Sequence, residues 1–268
     1  MTATVQPSSR TLARADLLSG DVAELISEID PTGAGHMHRK AWEQAMTVLA
    51  FRRAGVLDRD GTCLSVAAGH EALLYYLTRH FRQVVASDIY ADSGSWAADE
   101  GDIAMLVDPD RFAPYPYERR RLLPVHLDAL DLRFEDESFD AAYSLSSVEH
   151  MGGFDGAVSA IAEMARVTRR GGCVVVTTEV AVDGWESESL PHTEIFSPAQ
   201  LTRLVAAVGT LEWLDGAPPE PVDEGIEPVP LMGAISLRLS AIETAEHLRV
   251  RAPSGTVFTS VCLALRRT

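Results

Sequence analysis

Apolar residues recur along this chain at two periods, and the two alternate. Over residues 15–29 and 39–54 they fall at helical spacing, with Trp42, Met46, Val48 and Leu49 marking the second segment. The N-terminal fifth is therefore expected to be helical, behind a polar, Pro/Ser-containing stretch at residues 1–10. From residue 62 onward, short β-rich runs alternate with helical ones. Strands are expected at 62–68, 83–89, 124–127, 139–144 and 173–178, and helices at 70–80, 154–169 and 198–208. Such alternation specifies a parallel sheet with crossover helices. The 154–169 helix is the clearest: Val158, Ile161, Met164 and Val167 share one face, Arg169 and Arg170 lie near its negative end, and Gly171 is positioned to stop it. The Cys173-Val174-Val175-Val176 run that follows reads as a strand buried on both faces. Residues 257–266 form a last strand pattern with no room for a crossover helix, so an antiparallel edge strand is expected there.

Two stretches interrupt the rhythm. Residues 90–121 are long, charged and aromatic, and residues 214–234 are dense in proline and glycine. Insertions of this kind serve as lids, as binding loops or as plain surface loops. At 268 residues, with 46% hydrophobic and 23% charged content, one large α/β domain is expected over residues 55–268, with the tail and helices of 1–54 packing on it. A formal charge of −16 repels a phosphate backbone and argues against a nucleic-acid partner. No run approaches the ~20 apolar residues of a membrane span, and residues 1–10 lack a signal-peptide pattern, so a cytoplasmic protein is expected. Cys63, Cys173 and Cys262 are odd in number, sit in apolar runs and lack metal-ligand spacing, so they read as buried thiols. Lys40 is the only lysine, a usage that reads as coding bias.

The chemistry gathers around three strand ends. Thr62-Cys-Leu-Ser-Val-Ala-Ala-Gly-His-Glu71 runs from a buried strand into a helix with small residues at the bend, where a ligand can approach the backbone. The next strand ends at Asp88, spaced as an acid that accepts hydrogen bonds from ribose hydroxyls. A third run, His126-Leu-Asp-Ala-Leu130, brings Asp128 to where a carboxylate could receive an adenine amine.

These residues resemble the class I S-adenosylmethionine-dependent methyltransferases, whose order of motifs is followed from about Thr62 to Val180. The stretch from Asp128 to His150 resembles the family's adenine-contact loop and fourth strand, and Arg166 to Val176 its helix-to-fifth-strand signature. The resemblance implies a Rossmann-like, doubly wound, seven-stranded and mostly parallel sheet with an antiparallel last strand. It also implies S-adenosylmethionine binding by Ala67, Ala68, Gly69, Asp88, Ile89, Asp128, Ala129 and Ser144; Glu71, near the helix start, is separately expected to reach the sulfonium or amino group. The first block departs from the family: Ser65 stands where an acid is usual, and Ala67 and Glu71 where glycines are usual.

Methyl transfer from a sulfonium is an in-line displacement that needs alignment, dryness and removal of the acceptor's proton. Glu149 and His150, just past the fourth strand, are the candidate catalytic residues, His150 as base or metal ligand, the alternative being that His150 caps the Met151–Gly153 bend or packs against the following helix. Glu179 and His192 are expected to face the substrate, and Tyr117, with Trp96 and Tyr115, either to stack on it or, equally, to staple the 90–121 loop to the body. Glu149, His150, Glu179 and His192 have the oxygen-plus-imidazole character of a divalent cation site, such as one for Mg, although separate surface residues are the plainer reading. His36 and His38 form a weaker pair. The whole chain also resembles bacterial enzymes that O-methylate mannose or glucose units, so a saccharide or oligosaccharide hydroxyl is the expected acceptor. A homo-oligomer is left open. The rivals are a nicotinamide-dependent oxidoreductase, which needs a Gly-x-Gly-x-x-Gly bend that Ala67–Gly69 lacks, and a regulatory protein that binds the cofactor without catalysis.

Overall fold

The computed structural model describes residues 6–18, 20–32, 38–57, 60–90, 102–182, 188–190, 193–219, 227–230 and 248–268. Trp96, His36 and His192 lie outside them, as do parts of both interrupting stretches. In chain order the elements are β1 (Arg10–Thr11), α1 (Arg14–Leu18), α2 (Asp21–Ile29), α3 (Arg39–Ala54), β2 (Thr62–Val66), α4 (Ala72–Leu77) and β3 (Gln83–Asp88). There follow α5 (Ala104–Val107), β4 (Leu122–His126), β5 (Phe139–Leu145), α6 (Gly153–Val167), β6 (Thr168–Ala181), β7 (Glu188–Leu190) and β8 (Thr193–Ile195). The last are α7 (Pro198–Val208), β9 (Leu211–Trp213), β10 (Val229–Pro230), β11 (Val250–Arg251) and β12 (Val257–Arg267).

The expected mixed α/β sheet is present. Its backbone is the order β4-β3-β2-β5-β6-β12, parallel from β4 to β6, with β12 antiparallel beside β6. Among the described residues the sheet has ten strands rather than seven, because β1, β9, β10 and β11 add pieces of two or three residues on the β12 side. The chain winds outward from β2 to β4, then returns to build β5 and β6 on the other side. Strand order therefore reverses between β2 and β5, the crevice where open α/β sheets hold their ligands.

Apolar residues cover both sheet faces. Trp42, Phe51, Tyr75, Phe81 and Tyr143 belong to one cluster, into which α2, α3 and α4 pack, while Ile161, Met164, Phe196 and Leu204 of the α6 and α7 side belong to the other. Tyr143 and Ala142, neighbours on β5, fall in opposite clusters, as strand alternation requires. The three cysteines are buried free thiols. Two expectations need correcting in detail. The 15–29 helix is interrupted: α1 ends at Leu18, and Gly20, at φ 83°, is the N-cap from which α2 starts. The 154–169 helix stops at Val167, not at Gly171: residues 168–171 already belong to β6, drawn in by the Arg169–Asp140 ion pair. No helix of the described residues is long and apolar enough to cross a membrane.

Candidate active site at the strand ends

Asp88 does two things at once. Its Oδ2 accepts the Gly69 N–H at 2.8 Å, and a carboxylate has lone pairs for further donors. The bend it grips is held from other sides too: Ala68 N–H donates to the Ser87 carbonyl at 3.0 Å, and the Tyr90 hydroxyl donates to the Gly69 carbonyl at 3.2 Å. Tyr90 is buried, and burial pushes its phenol far above the ordinary value, so it stays a donor. Ala67 and Gly69 both take left-handed backbone, at φ 52° and 49°. The bend thus exists without the glycines usual in the family it resembles, held by Ser87, Asp88 and Tyr90.

The β3–β4 register sets Asp88 opposite His126, so Asp128 lies just beyond the neighbouring strand end. Its Oδ1 accepts the Leu130 N–H at 2.9 Å, and the residue is exposed. Ile89 and Leu130, beside the two acids, are 57% and 44% exposed. Two carboxylates flanked by open aliphatic surface suit a ribosyl purine, whose hydroxyls and amine donate and whose ring faces are apolar. Ser144, fully buried near the end of β5, has an Oγ without a hydrogen-bond partner, an orphaned polar atom of the kind a ligand satisfies. The residues present fit S-adenosylmethionine on these grounds.

Beyond β5 the chain turns through Ser146, at φ 43°, into a 3-10 turn over Val148–His150. The expected pair parts here. Glu149 is 1% exposed and turns inward, whereas His150 is exposed. Glu149 Oε2 accepts from Thr178 Oγ1 at 2.8 Å, and its Oε1 is buried without a hydrogen-bond partner. Burial, reinforced by the Glu179 carboxylate, pushes Glu149 up to about 8. Glu179, on β6, pairs with Arg39 at 2.6 Å. Arg39 also donates to Ser260 Oγ at 3.1 Å.

Sequence reasoning missed the residue that joins these groups. Glu43, on α3, is fully buried. Its carboxylate accepts from Ser146 Oγ at 2.9 Å, Thr177 Oγ1 at 3.2 Å and Ser260 Oγ, and it meets Lys40 Nζ at 3.4 Å. Burial disfavours its charge, but Lys40, Arg39 and the Ser260 and Ser146 hydroxyls outweigh that and hold it below the usual carboxylate value. A trace of this was visible in the spacing of Arg39 and Lys40, four and three residues before Glu43.

Other expected residues lie apart. Tyr117 donates to Asp110 Oδ1 at 2.7 Å and sets its ring edge-on to Tyr75, while Tyr115 donates to the Ile29 carbonyl at 2.9 Å. Both hydroxyls are engaged in holding the 102–121 segment to the body. Glu71 stands at the N-cap of α4, half-buried. His38 caps α3, its Nδ1 accepting the Ala41 N–H at 3.2 Å. Among the described residues, no group of three or more His, Cys, Asp or Glu side chains is placed to hold a metal ion.

Residues 64–176 match the family described as a methyltransferase domain. The matched stretch is thus similar to methyltransferase domains. The match spans β2 to the middle of β6, including the Ala67–Gly69 bend, Asp88, Asp128 and Glu149, and leaves α3 outside it. Among solved structures, the geranyl diphosphate C-methyltransferase of Streptomyces coelicolor A3(2), held with Mg2+, geranyl diphosphate and S-adenosyl-L-homocysteine, is similar at 16% identity. The likeness covers 99% of this chain and 90% of that one, with a TM-score of 0.54. A complex of geranyl diphosphate methyltransferase with sinefungin gives 0.53 at 16% identity, again over 99% and 90%. The [4+2]-cyclase SpnF is similar at 17% identity over 97% of this chain and 99% of that one, with a TM-score of 0.51. At such identities the likeness concerns the fold, and the methyltransferase domain shares its architecture with enzymes of different chemistry.

Proposed function

We propose that this methyltransferase moves the methyl group of S-adenosylmethionine to a hydroxyl of a small-molecule acceptor, with Glu149 taking the hydroxyl proton. One observation carries this reading: Glu149, buried just beyond β5, keeps Oε1 without a hydrogen-bond partner while Thr178 orients Oε2. A carboxylate pushed up to about 8 is a stronger base than an ordinary glutamate, and it is ionised and free to take a proton at mildly alkaline pH. We assign the base to Glu149 rather than His150 because a base works within hydrogen-bond reach of a dry acceptor, and His150 faces outward.

When bound, the cofactor supplies an electrophilic methyl group. Asp88 and Asp128 hold its ribose and adenine, Ile89 and Ala129 pack on the ring, and the Ala67–Gly69 bend with Ser144 receives the rest. Glu149 would orient the acceptor hydroxyl through Oε1 and take its proton as the new carbon–oxygen bond forms and the methyl–sulfur bond breaks, leaving a neutral thioether. Saccharides are the acceptor class we propose, and the aromatic residues of 102–121 do not decide it, since Tyr115 and Tyr117 have their hydroxyls engaged within the fold.

Calorimetric titration with S-adenosylmethionine and with NADH tests the cofactor; binding of NADH alone would overturn the reading. Transfer of a carbon-13 methyl label to a panel of mono- and oligosaccharides, with and without EDTA, then tests the acceptor by the chemical shift of the new methyl group. An O-methyl signal is expected, and a C-methyl or N-methyl signal would replace the hydroxyl assignment. Glu149→Gln should cut turnover ~100-fold or more while cofactor binding persists.

A further inference from the structure

Helix α3 precedes the matched methyltransferase segment, yet it delivers the group on which the catalytic turn rests. The Glu43 carboxylate touches three parts of the sheet: Ser146 beyond β5, Thr177 on β6 and Ser260 on β12. Ser146 is a non-glycine residue in left-handed backbone, a conformation that persists only where surrounding bonds enforce it. Its N–H is held by the Thr177 carbonyl at 2.9 Å, and its hydroxyl by Glu43. Two residues later the 3-10 turn begins that carries Glu149 inward.

Glu43 also sets the local charge. Lys40 at 3.4 Å and Arg39 at 3.8 Å are the cations nearest it, and both act on Glu149 as well. Among the described residues, the groups around the Glu149 turn are Arg39, Lys40 and Glu43 from α3, Glu179 from β6, Glu194 from β8, exposed Asp155 at the start of α6, and neighbouring His150. Glu43 thus engages positive charge that would otherwise fall wholly on Glu149 and Glu179.

We propose that Glu43 is a positioning residue for Glu149: its carboxylate locks the Ser146 turn and engages the Lys40 and Arg39 charges, so that Glu149 is both aimed and basic. The inference rests on the reading of Glu149 as base, and it is tested partly without catalysis. Lys40 is the chain's only lysine, so a lysine-selective carbon-13 NMR spectrum reports a single side chain, which meets Glu43 at 3.4 Å and feels the charge of Glu149. In the wild-type protein without ligands its shift should inflect near pH 8, and Glu149→Gln should abolish that inflection.

Glu43→Gln keeps an acceptor oxygen and removes the charge. The inflection should move to lower pH by about one pH unit, and kcat should fall about tenfold with KM little changed. An inflection and a kcat at wild-type values, with only a lowered Tm, would overturn the proposal. Ser146→Ala is the second variant, should Glu43→Gln fail to fold. It removes the locking hydroxyl and leaves every charge in place, so kcat should drop severalfold while the inflection stays; an unchanged kcat counts against the proposal. If Glu149→Gln retains full turnover, the base assignment falls, while the Lys40 inflection still decides whether Glu43 governs the proton affinity of Glu149.

Discussion

Ala67 occupies left-handed backbone at φ 52°, where an L side chain crowds its own carbonyl. Glycine would sit there without strain; alanine is tolerated because its neighbour's N–H is tied to Ser87 and the following N–H to Asp88. A β-branched side chain adds a second clash at this φ. Ala67→Val should therefore cost ~1–3 kcal/mol in urea denaturation and weaken S-adenosylmethionine in calorimetry, because the displaced bend would carry Gly69 away from Asp88. Stability and affinity equal to wild type would show that the bend is not held as described. Asp88 and Asp128 could be read from the sequence because strand alternation and loop length put them at strand ends, whatever packs around them. Glu43 could not. Arg39, Lys40 and Glu43 look like the ion pairs of a solvated helix face, and only the return of the chain at Ser260, 217 residues on, turns that face inward.

At the scale of elements, the turn between β5 and α6 is unusually tight. A Cβ built on Gly156 would lie 1.7 Å from the Met151 carbonyl oxygen, so the first turn of α6 is pressed against the backbone that follows Glu149. Replacing an exposed helical glycine with alanine ordinarily gains about 1 kcal/mol. Here the sign should reverse: Gly156→Ala must push the 148–152 turn or the helix aside, at ~1–3 kcal/mol. The methyl-transfer rate should fall along with the stability, since the same shift moves Glu149; thermal melts paired with kcat would detect both, and a rise in Tm would contradict the packing. The alternation of strands and helices was legible because β2, β5 and β6 are buried on both faces and α6 on one. Where α6 ends was not. Asp140 accepts from Thr62 N–H and pairs with Arg169, and β5–β6 pairing shifts between Phe139 and Ala141, so a long-range contact overrides the stop that Gly171 offers.

Over the whole molecule, the buried cluster makes stability depend on pH in two opposite senses. Glu43 titrates below its ordinary value of 4.5, so its contribution is present above that pH and is lost as acid protonates it. Glu149 titrates above its ordinary value, up to about 8, so the folded protein binds this proton more tightly than the unfolded chain does. Its contribution is complete below about pH 4.5 and disappears as pH rises through 8, leaving a charge in a dry site. The other acidic groups of a chain with formal charge −16 add their own repulsion, which obscures Glu149 in any single unfolding curve. That repulsion is nearly common to the wild type and Glu149→Gln, so it cancels in their difference. Relative to wild type, the glutamine variant should gain roughly 3–5 kcal/mol between pH 5 and pH 9. Most of the gain should come before pH 8, as read from urea unfolding at four or five pH values. A difference that stays flat across this range would mean that Glu149 carries no displaced proton, and the base would then have to be sought elsewhere at the strand ends.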